Sequence, residues 1–253
     1  GTRAMFEAFR ANAPRSTGVI QWMLNSAWPS LYWQLYDWYL VPTAGFWSVK
    51  KACAPRQLVY NYYDRGVYAV ADECSSCSLV ARVELFGLDG RPLLNERKEM
   101  EMKGGESAKV FDIPRMDALS FMFLTLEDLD GNVVERNSYC LSGTDDVHDW
   151  EHYNWIRTEL SQHSDFTRLS GLEKAGLEYD AVRKDGKLVL NVRNMSDKVA
   201  FFIRLALKDA GGEMVVPVTW DDNYFSLKPG ESRSFVCDSP AGQKGGIVEV
   251  SGW

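Results

Sequence analysis

The sequence predicts a mainly β chain, two immunoglobulin-like β-sandwiches preceded by a short helix–strand–helix piece. Three observations carry this. Between residues 56 and 141, seven short runs alternate apolar and polar residues, cut by turns such as "DRG", "LDG", "KGGE" and "LDGN". A second series of such runs fills 176–251, with turns "KDG", "NMSD", "DAGGE" and "KPGE". Residues 1–55 have a different pattern, in which helical periodicity and one continuous apolar run replace alternation.

The elements follow in order. Met5, Phe6 and Phe9 lie on one predicted helical face of residues 2–12, and Pro14 ends that helix. "STGVIQWMLN" (16–25) is a continuous apolar run, which suits a strand buried on both faces in a parallel sheet. Pro29 suits the first turn of a helix, and Leu31, Tyr32, Leu35 and Trp38/Tyr39 give it one apolar stripe. A second short helix is expected over 44–53, stopped by Pro55.

The first sandwich is assigned to 56–142, with strands expected at 58–63, 67–71, 79–88, 93–102, 107–113, 120–128 and 133–141. Residues 143–175 are polar, acidic and irregular; they read as a linker wrapping the surface, with its Trp and Tyr as anchors. The second sandwich is assigned to 176–253, with strands expected at 176–183, 187–193, 200–208, 215–220, 231–237 and 246–251.

Bulk composition narrows the function classes. The 253 residues are 45% hydrophobic and 25% charged, an ordinary globular balance. The net charge of −7, without a Lys/Arg cluster, argues against a nucleic-acid partner. No apolar stretch approaches the ~18 residues that span a membrane. Five Cys are too few for a disulfide scaffold. Cys74 and Cys77 form a CxxC between two strand-like runs; without a second ligand pair it reads as a loop, with a local disulfide left open. No cofactor is expected.

The densest signal is "GVIQWMLNSAWPSLYWQLYDWYL" (18–40). It holds Trp22, Trp28, Tyr32, Trp33, Tyr36, Trp38 and Tyr39. Such a run either packs a core or lines a site for a ligand with flat apolar faces, of which sugars are the obvious case. That stretch, followed by "FWSVKKACAPRQLVYNYYDRGVYAV", resembles the end of the catalytic barrel of glycoside hydrolase family 2 enzymes and the entry into the next immunoglobulin-like domain. "VVPVTWDDNYFSLKPGESRSF…VEVSGW" resembles their last such domain. The resemblance is strongest to the exo-β-D-glucosaminidases and the mannosylglycoprotein endo-β-mannosidases.

The resemblance implies that 1–55 is the last part of a (β/α)8 barrel, with 2–12 as helix 7, 18–25 as strand 8 and 29–53 as the final helical part. The active site then lies at the C-terminal end of strand 8. The matching residues are Trp22, Asn25 and Trp28, the Trp rings stacking on a β-linked glycan and Asn25 bonding a hydroxyl. Tyr32, Leu35 and Trp38 are expected to pack the barrel wall. The family uses two Glu carboxylates with retention, both of which fall outside this chain. No catalytic residue is therefore assigned here. The missing barrel and domains count as partners, the location is expected to be extracytoplasmic, and the fragment alone is expected to be inactive.

Other carboxylates give no substitute pair. Glu7 is expected to face solvent from its helix. Glu84, Glu96, Glu99 and Glu101 alternate along strands, and Asp221 and Asp222 share a turn. His148 and His152 have ligand-like i, i+4 spacing but no helical stripe around them, and "DLDGN" (128–132) is first a hairpin turn. No metal site is assigned. A second reading is a non-catalytic carbohydrate-binding module, with Trp150, Tyr153, Trp155 or Trp220 as its platform. An orphaned barrel strand also predicts pairing of two copies through 1–55.

Overall fold

The computed structural model describes residues 1–30, 33–72, 76–238 and 246–252. All seven strands expected in the first sandwich are present: β1 (Arg56–Asn61), β2 (Gly66–Ala71), β3 (Cys77–Gly87), β4 (Pro92–Met102), β5 (Ser107–Asp112), β6 (Ser120–Glu127) and β7 (Val133–Leu141). They form two antiparallel sheets, β1-β2-β5 and β4-β3-β6-β7. Leu58, Val67, Leu85, Met122 and Leu124 fill the space between them. β6 is buried along almost its whole length because both faces are covered. Met122 and Leu124 point into this core, while Phe121 and Phe123 pack outward against Val199 and Phe201 of the second sandwich. The turn at 128–132 is a hairpin turn: the Asp128 carboxylate accepts the N–H groups of Asp130 (3.0 Å) and Asn132 (2.8 Å), and Gly131 takes the left-handed conformation at φ 85°. Cys74 lies outside the described residues, as do Leu31 and Tyr32.

Residues 143–175 carry a two-stranded piece, β8 (Val147–His148) with β9 (Leu160–Gln162), and a 3-10 turn over Thr167–Gly171. The aromatics expected to anchor this strap do not: Trp150, Tyr153 and Trp155 are all exposed. Local turn chemistry holds it instead. Asp149 accepts the N–H groups of Glu151 and His152, and Asn154 accepts those of Ile156 and Arg157.

The second sandwich contains β10 (Leu177–Lys184), β11 (Lys187–Asn194), β12 (Ala200–Lys208), β13 (Phe225–Leu227), β14 (Ser232–Cys237) and β15 (Ile247–Ser251). Its sheets are β10-β11-β14 and β13-β12-β15. Phe225 and Phe235 stack at 4.0 Å in its core, with the Arg233 guanidinium over both rings. The strand expected at 215–220 is replaced by β13. Pro217 has no N–H to give a ladder, and among the described residues the segment meets the sheet through isolated bridges, Met214 to Lys208 and Trp220 to Cys237. Trp220 is buried in the core and is no binding platform.

Two helices precede the sandwiches, α1 (Thr2–Ala11) and α2 (Ala44–Ala52). α1 turns Phe6, Glu7 and Ala11 inward, and Met5 and Phe9 are left exposed. The Met5–Phe6–Phe9 face expected from the sequence is therefore only one-third correct. Residues 16–25 are not a strand, and the described residues of 29–39 are not a helix. A run apolar on both sides needs a sheet neighbour on each edge to become a buried strand, and among the described residues none is present. The segment instead doubles back as an irregular loop. The Leu24 carbonyl accepts the N–H groups of Leu35 (3.0 Å) and Tyr36 (2.9 Å), and Tyr36 bridges both Asn25 and Pro42. Of the three residues expected to pack a wall, Leu35 is buried, Trp38 is half-exposed and Tyr32 lies outside the described residues.

Candidate functional site

The loop over 16–43 hangs between two fixed points. At its start, α1 closes on Asn12, whose side chain donates back to the Ala8 carbonyl at 2.7 Å. At its end, Thr43 Oγ1 donates to the Leu35 carbonyl at 3.0 Å, and the Tyr36 ring meets Phe46 of α2 at 5.0 Å. Asp37 holds the intervening turn by accepting the Val41 N–H at 2.9 Å. The three sequence-predicted site residues lie on the outer side of this loop. Trp22 is 73% exposed and Trp28 67%. Asn25 is also exposed, its side-chain N–H contacting the Ser26 carbonyl at 3.3 Å. The peptide between Trp22 and Met23 is cis. Two indole faces and an amide, which can both donate and accept, are thus offered to solvent.

Below the loop, the two helices are bolted to the sandwiches by buried charge, which the sequence did not reveal. Glu7, expected in solvent, is fully buried. Its Oε1 accepts Arg3 Nε at 2.7 Å and the Tyr139 hydroxyl at 3.0 Å. The same hydroxyl accepts the Tyr60 N–H at 3.2 Å, so α1 is tied to β1 and β7 together. Arg3 also donates to the Ser138 carbonyl (2.8 Å) and lies 4.1 Å over the Tyr139 ring. Burial pushes the Glu7 carboxyl above its ordinary range, and the Arg3 charge only partly opposes this. The i, i+4 spacing of Arg3 and Glu7 was visible in the sequence as a helical pair. Nothing marked Tyr139 as the third member.

α2 reaches the other sandwich. Trp47 enters its core beside Trp220 and Phe225. Lys51 Nζ and Arg233 Nη2 both meet Asp222 Oδ2, at 2.6 and 2.8 Å. Burial alone would raise the Asp222 carboxyl, but the two cations outweigh it and hold it low. Arg10 of α1 caps α2 by donating to the carbonyls of Ala52 (2.8 Å) and Ala54 (2.6 Å). Direct contacts complete the junction. Lys228 meets Glu84 at 2.6 Å, and a side chain at Gly90 would overlap the Asp197 carbonyl.

His148 and His152 do not converge. His148 stacks on Trp150 at 5.3 Å, and His152 Nδ1 meets Asp149 at 2.8 Å. Among the described residues no group of three or more His, Cys, Asp or Glu is placed to hold a metal ion, and no helix is long and apolar enough to cross a membrane.

Two antiparallel immunoglobulin-like sandwiches, preceded by two helices and an aromatic loop, give this chain an architecture like that of the C-terminal regions of known β-glycosidases. Within that class it resembles the exo-β-D-glucosaminidases. Residues 155–253 match the family described as the exo-β-D-glucosaminidase Ig-fold domain. The exo-β-D-glucosaminidase of Arthroderma benhamiae is 36% identical over 91% of this chain and 27% of its own length. That of Hypocrea jecorina is 32% identical over 100% of this chain and 29% of its own. The crystal structure of the exo-chitosanase of Amycolatopsis orientalis superposes with a TM-score of 0.90 at 31% identity, covering 100% of this chain and 32% of that one. The chain thus spans less than a third of the length of these relatives.

Proposed function

We propose that the chain forms the C-terminal part of a retaining exo-β-glycosidase acting on β-glucosaminides. The observation that carries this reading is the likeness to the Amycolatopsis enzyme over the whole chain, aromatic loop included. A Glu-to-Ala variant of that enzyme has been crystallised in complex with p-nitrophenyl β-D-glucosamine. In this reading the acid/base and nucleophile Glu come from chain outside these 253 residues, and no cofactor enters the two-carboxylate chemistry. Trp22 and Trp28 stack on the sugar and Asn25 bonds a hydroxyl. The sandwiches hold the loop in place through α1 and α2. The parent enzyme works outside the cytoplasm.

The test is kinetic. In the parent enzyme, Trp22→Ala is expected to lower kcat/KM for p-nitrophenyl β-D-glucosaminide tenfold or more. In the isolated chain, where Trp22 is exposed, the same substitution should change stability by no more than about 0.5 kcal/mol. Unchanged kcat/KM per folded molecule would show that Trp22 touches no substrate. Substitution of the glucosaminide by the mannoside decides between the two sugar classes. The isolated chain should hydrolyse neither.

The same exposed aromatics supply a partner prediction. Ile20, Trp22, Leu24, Trp28, Tyr39 and Leu40 all face solvent from one loop. Apolar patches of this kind are covered in working proteins, in the parent by the rest of the barrel. Two isolated chains are expected to pair through 1–55 with two-fold symmetry. Light scattering across a concentration series should show the mass rising toward twice the monomer; a constant monomer mass at all concentrations refutes the pairing.

A further inference from the structure

The acceptor pattern for N-linked glycosylation, Asn-x-Ser with x other than Pro, occurs once in the chain, at Asn194-Met195-Ser196. Such a triplet ordinarily marks an exposed surface loop. Here it starts on the last residue of β11, and its three side chains part company. Met195 is exposed and Ser196 half-buried, but Asn194 is fully buried.

Both ends of the Asn194 amide are engaged. Its Nδ2 donates to the carbonyls of Lys198 (2.6 Å), Lys228 (3.0 Å) and Leu227 (3.3 Å). Its Oδ1 accepts the Ser196 N–H at 3.1 Å and the Ser196 hydroxyl at 2.7 Å. Leu227 ends β13, which belongs to the opposite sheet from β11. The amide therefore pins the two sheets of the second sandwich to each other, and satisfies carbonyls that would otherwise be buried without a donor.

The same geometry decides whether the triplet can react. In glycan transfer Nδ2 bonds to the anomeric carbon of a dolichyl-pyrophosphate-linked oligosaccharide. The nitrogen gives up one proton, and the C–O bond to dolichyl pyrophosphate breaks as that group leaves. In the folded chain three carbonyl oxygens stand within 3.3 Å of this nitrogen, in the place a sugar ring needs. A ring already on Nδ2 would in turn occupy the place of the end of β13, and the sheets could not close.

We propose that Asn194 is a glycan acceptor gated by folding: open in the unfolded chain, shut by the second sandwich, and a block to that sandwich once modified. In a secretory route that carries an oligosaccharyltransferase, folding and modification then compete for one side chain. The inference does not depend on the glycosidase reading, and neither does its test.

The experiment offers purified oligosaccharyltransferase and dolichyl-linked oligosaccharide three acceptors. They are the folded 253-residue chain, the chain with Leu190→Asp, whose charge in the core opens the second sandwich, and a synthetic peptide of residues 188–200. The peptide and the opened chain are expected to gain one glycan, seen as a mass increase that peptide N-glycosidase reverses. The folded chain is expected to react at least about tenfold more slowly than the peptide, because its acceptor is bared only when the core opens. A smaller difference, or a peptide that gains no glycan, overturns the proposal. If circular dichroism shows Leu190→Asp still folded, it is held to the expectation for the folded chain. The block to folding is read by translating the chain, behind a signal peptide, into microsomes. Every glycan-bearing chain is expected to be digested by added protease after the membranes are opened. A glycan-bearing chain as resistant as the bare one overturns that part.

Discussion

Replacing Trp47 with alanine is expected to cost about 3–5 kcal/mol of folding stability, the range for deleting a fully buried large aromatic. Trp47 belongs by sequence to α2, yet its ring is in the core of the second sandwich beside Trp220 and Phe225. Phe46 meets it edge-on at 5.2 Å, and Lys50 Nζ lies 4.9 Å over its face. Removing it leaves a cavity between elements that are themselves fixed by Lys51, Asp222 and Arg233, so the surroundings cannot close over the gap. The comparison is Trp28→Ala. That ring comes from the same aromatic-rich region but is exposed, and its loss should stay within about 0.5 kcal/mol. Denaturant titration of the two variants decides the matter. Equal midpoints would mean that α2 is not a structural bridge and that the helical layer sits loosely on the second sandwich.

The contrast between these two Trp shows what the sequence could tell. The first sandwich was legible strand by strand, because alternation fixes which face is buried and the Gly turns fix the register. β6 is counted among the alternating runs, but its Phe121–Leu124 stretch is continuously apolar, and the structure covers both of its faces. The same continuous apolarity misled at 16–25. There no sheet neighbour flanks it among the described residues, and the Leu24 carbonyl accepts from Leu35 and Tyr36 instead. The 215–220 segment alternates like a strand, but Pro217 lacks the N–H that a ladder needs. The strap aromatics suggest anchors, yet the turns formed by Asp149 and Asn154 hold the strap with those rings exposed. For the candidate site, Trp22, Asn25 and Trp28 were named from a family resemblance, and the structure adds that all three face outward. The buried charges that hold the loop's two ends were out of reach, since each joins residues far apart in the chain: Glu7 with Tyr139, Lys51 with Asp222 and Arg233.

Those buried charges give the second large effect, and it carries a sign. Glu7→Leu is expected to cost about 3–5 kcal/mol, because it leaves the Arg3 charge buried without its partner and the Tyr139 hydroxyl without its acceptor. Glu7→Gln should cost much less at neutral pH. Its amide oxygen can still accept from Arg3 Nε and from Tyr139, and it carries no charge to desolvate. The pH dependence separates the two carboxylates at the junction. The Glu7 carboxyl is raised by burial, and its Oε2 has no hydrogen-bond partner among the described residues. Between the unfolded and folded values the native state therefore binds more protons than the unfolded chain, and stability falls as pH rises through that window. The contribution is fully present below the ordinary carboxylate range and is lost above the raised folded value. Asp222 runs the other way. Burial would raise it, but Lys51 and Arg233 prevail and hold it low, so its contribution is present above the ordinary carboxylate range and is lost as pH falls through its folded value. Glu7→Gln is thus expected to flatten the decline in stability on the alkaline side of the ordinary carboxylate range while leaving the acid limb intact. Asp222→Asn is expected to flatten the acid limb and to lower stability at neutral pH, since it leaves Lys51 and Arg233 facing each other. Urea midpoints measured from pH 4 to pH 8 on the two variants and the unaltered chain are the check. If Glu7→Gln retains the decline with rising pH, the proton that drives it is not on Glu7, and the α1 clamp is an ordinary ion pair in which Arg3 outweighs burial.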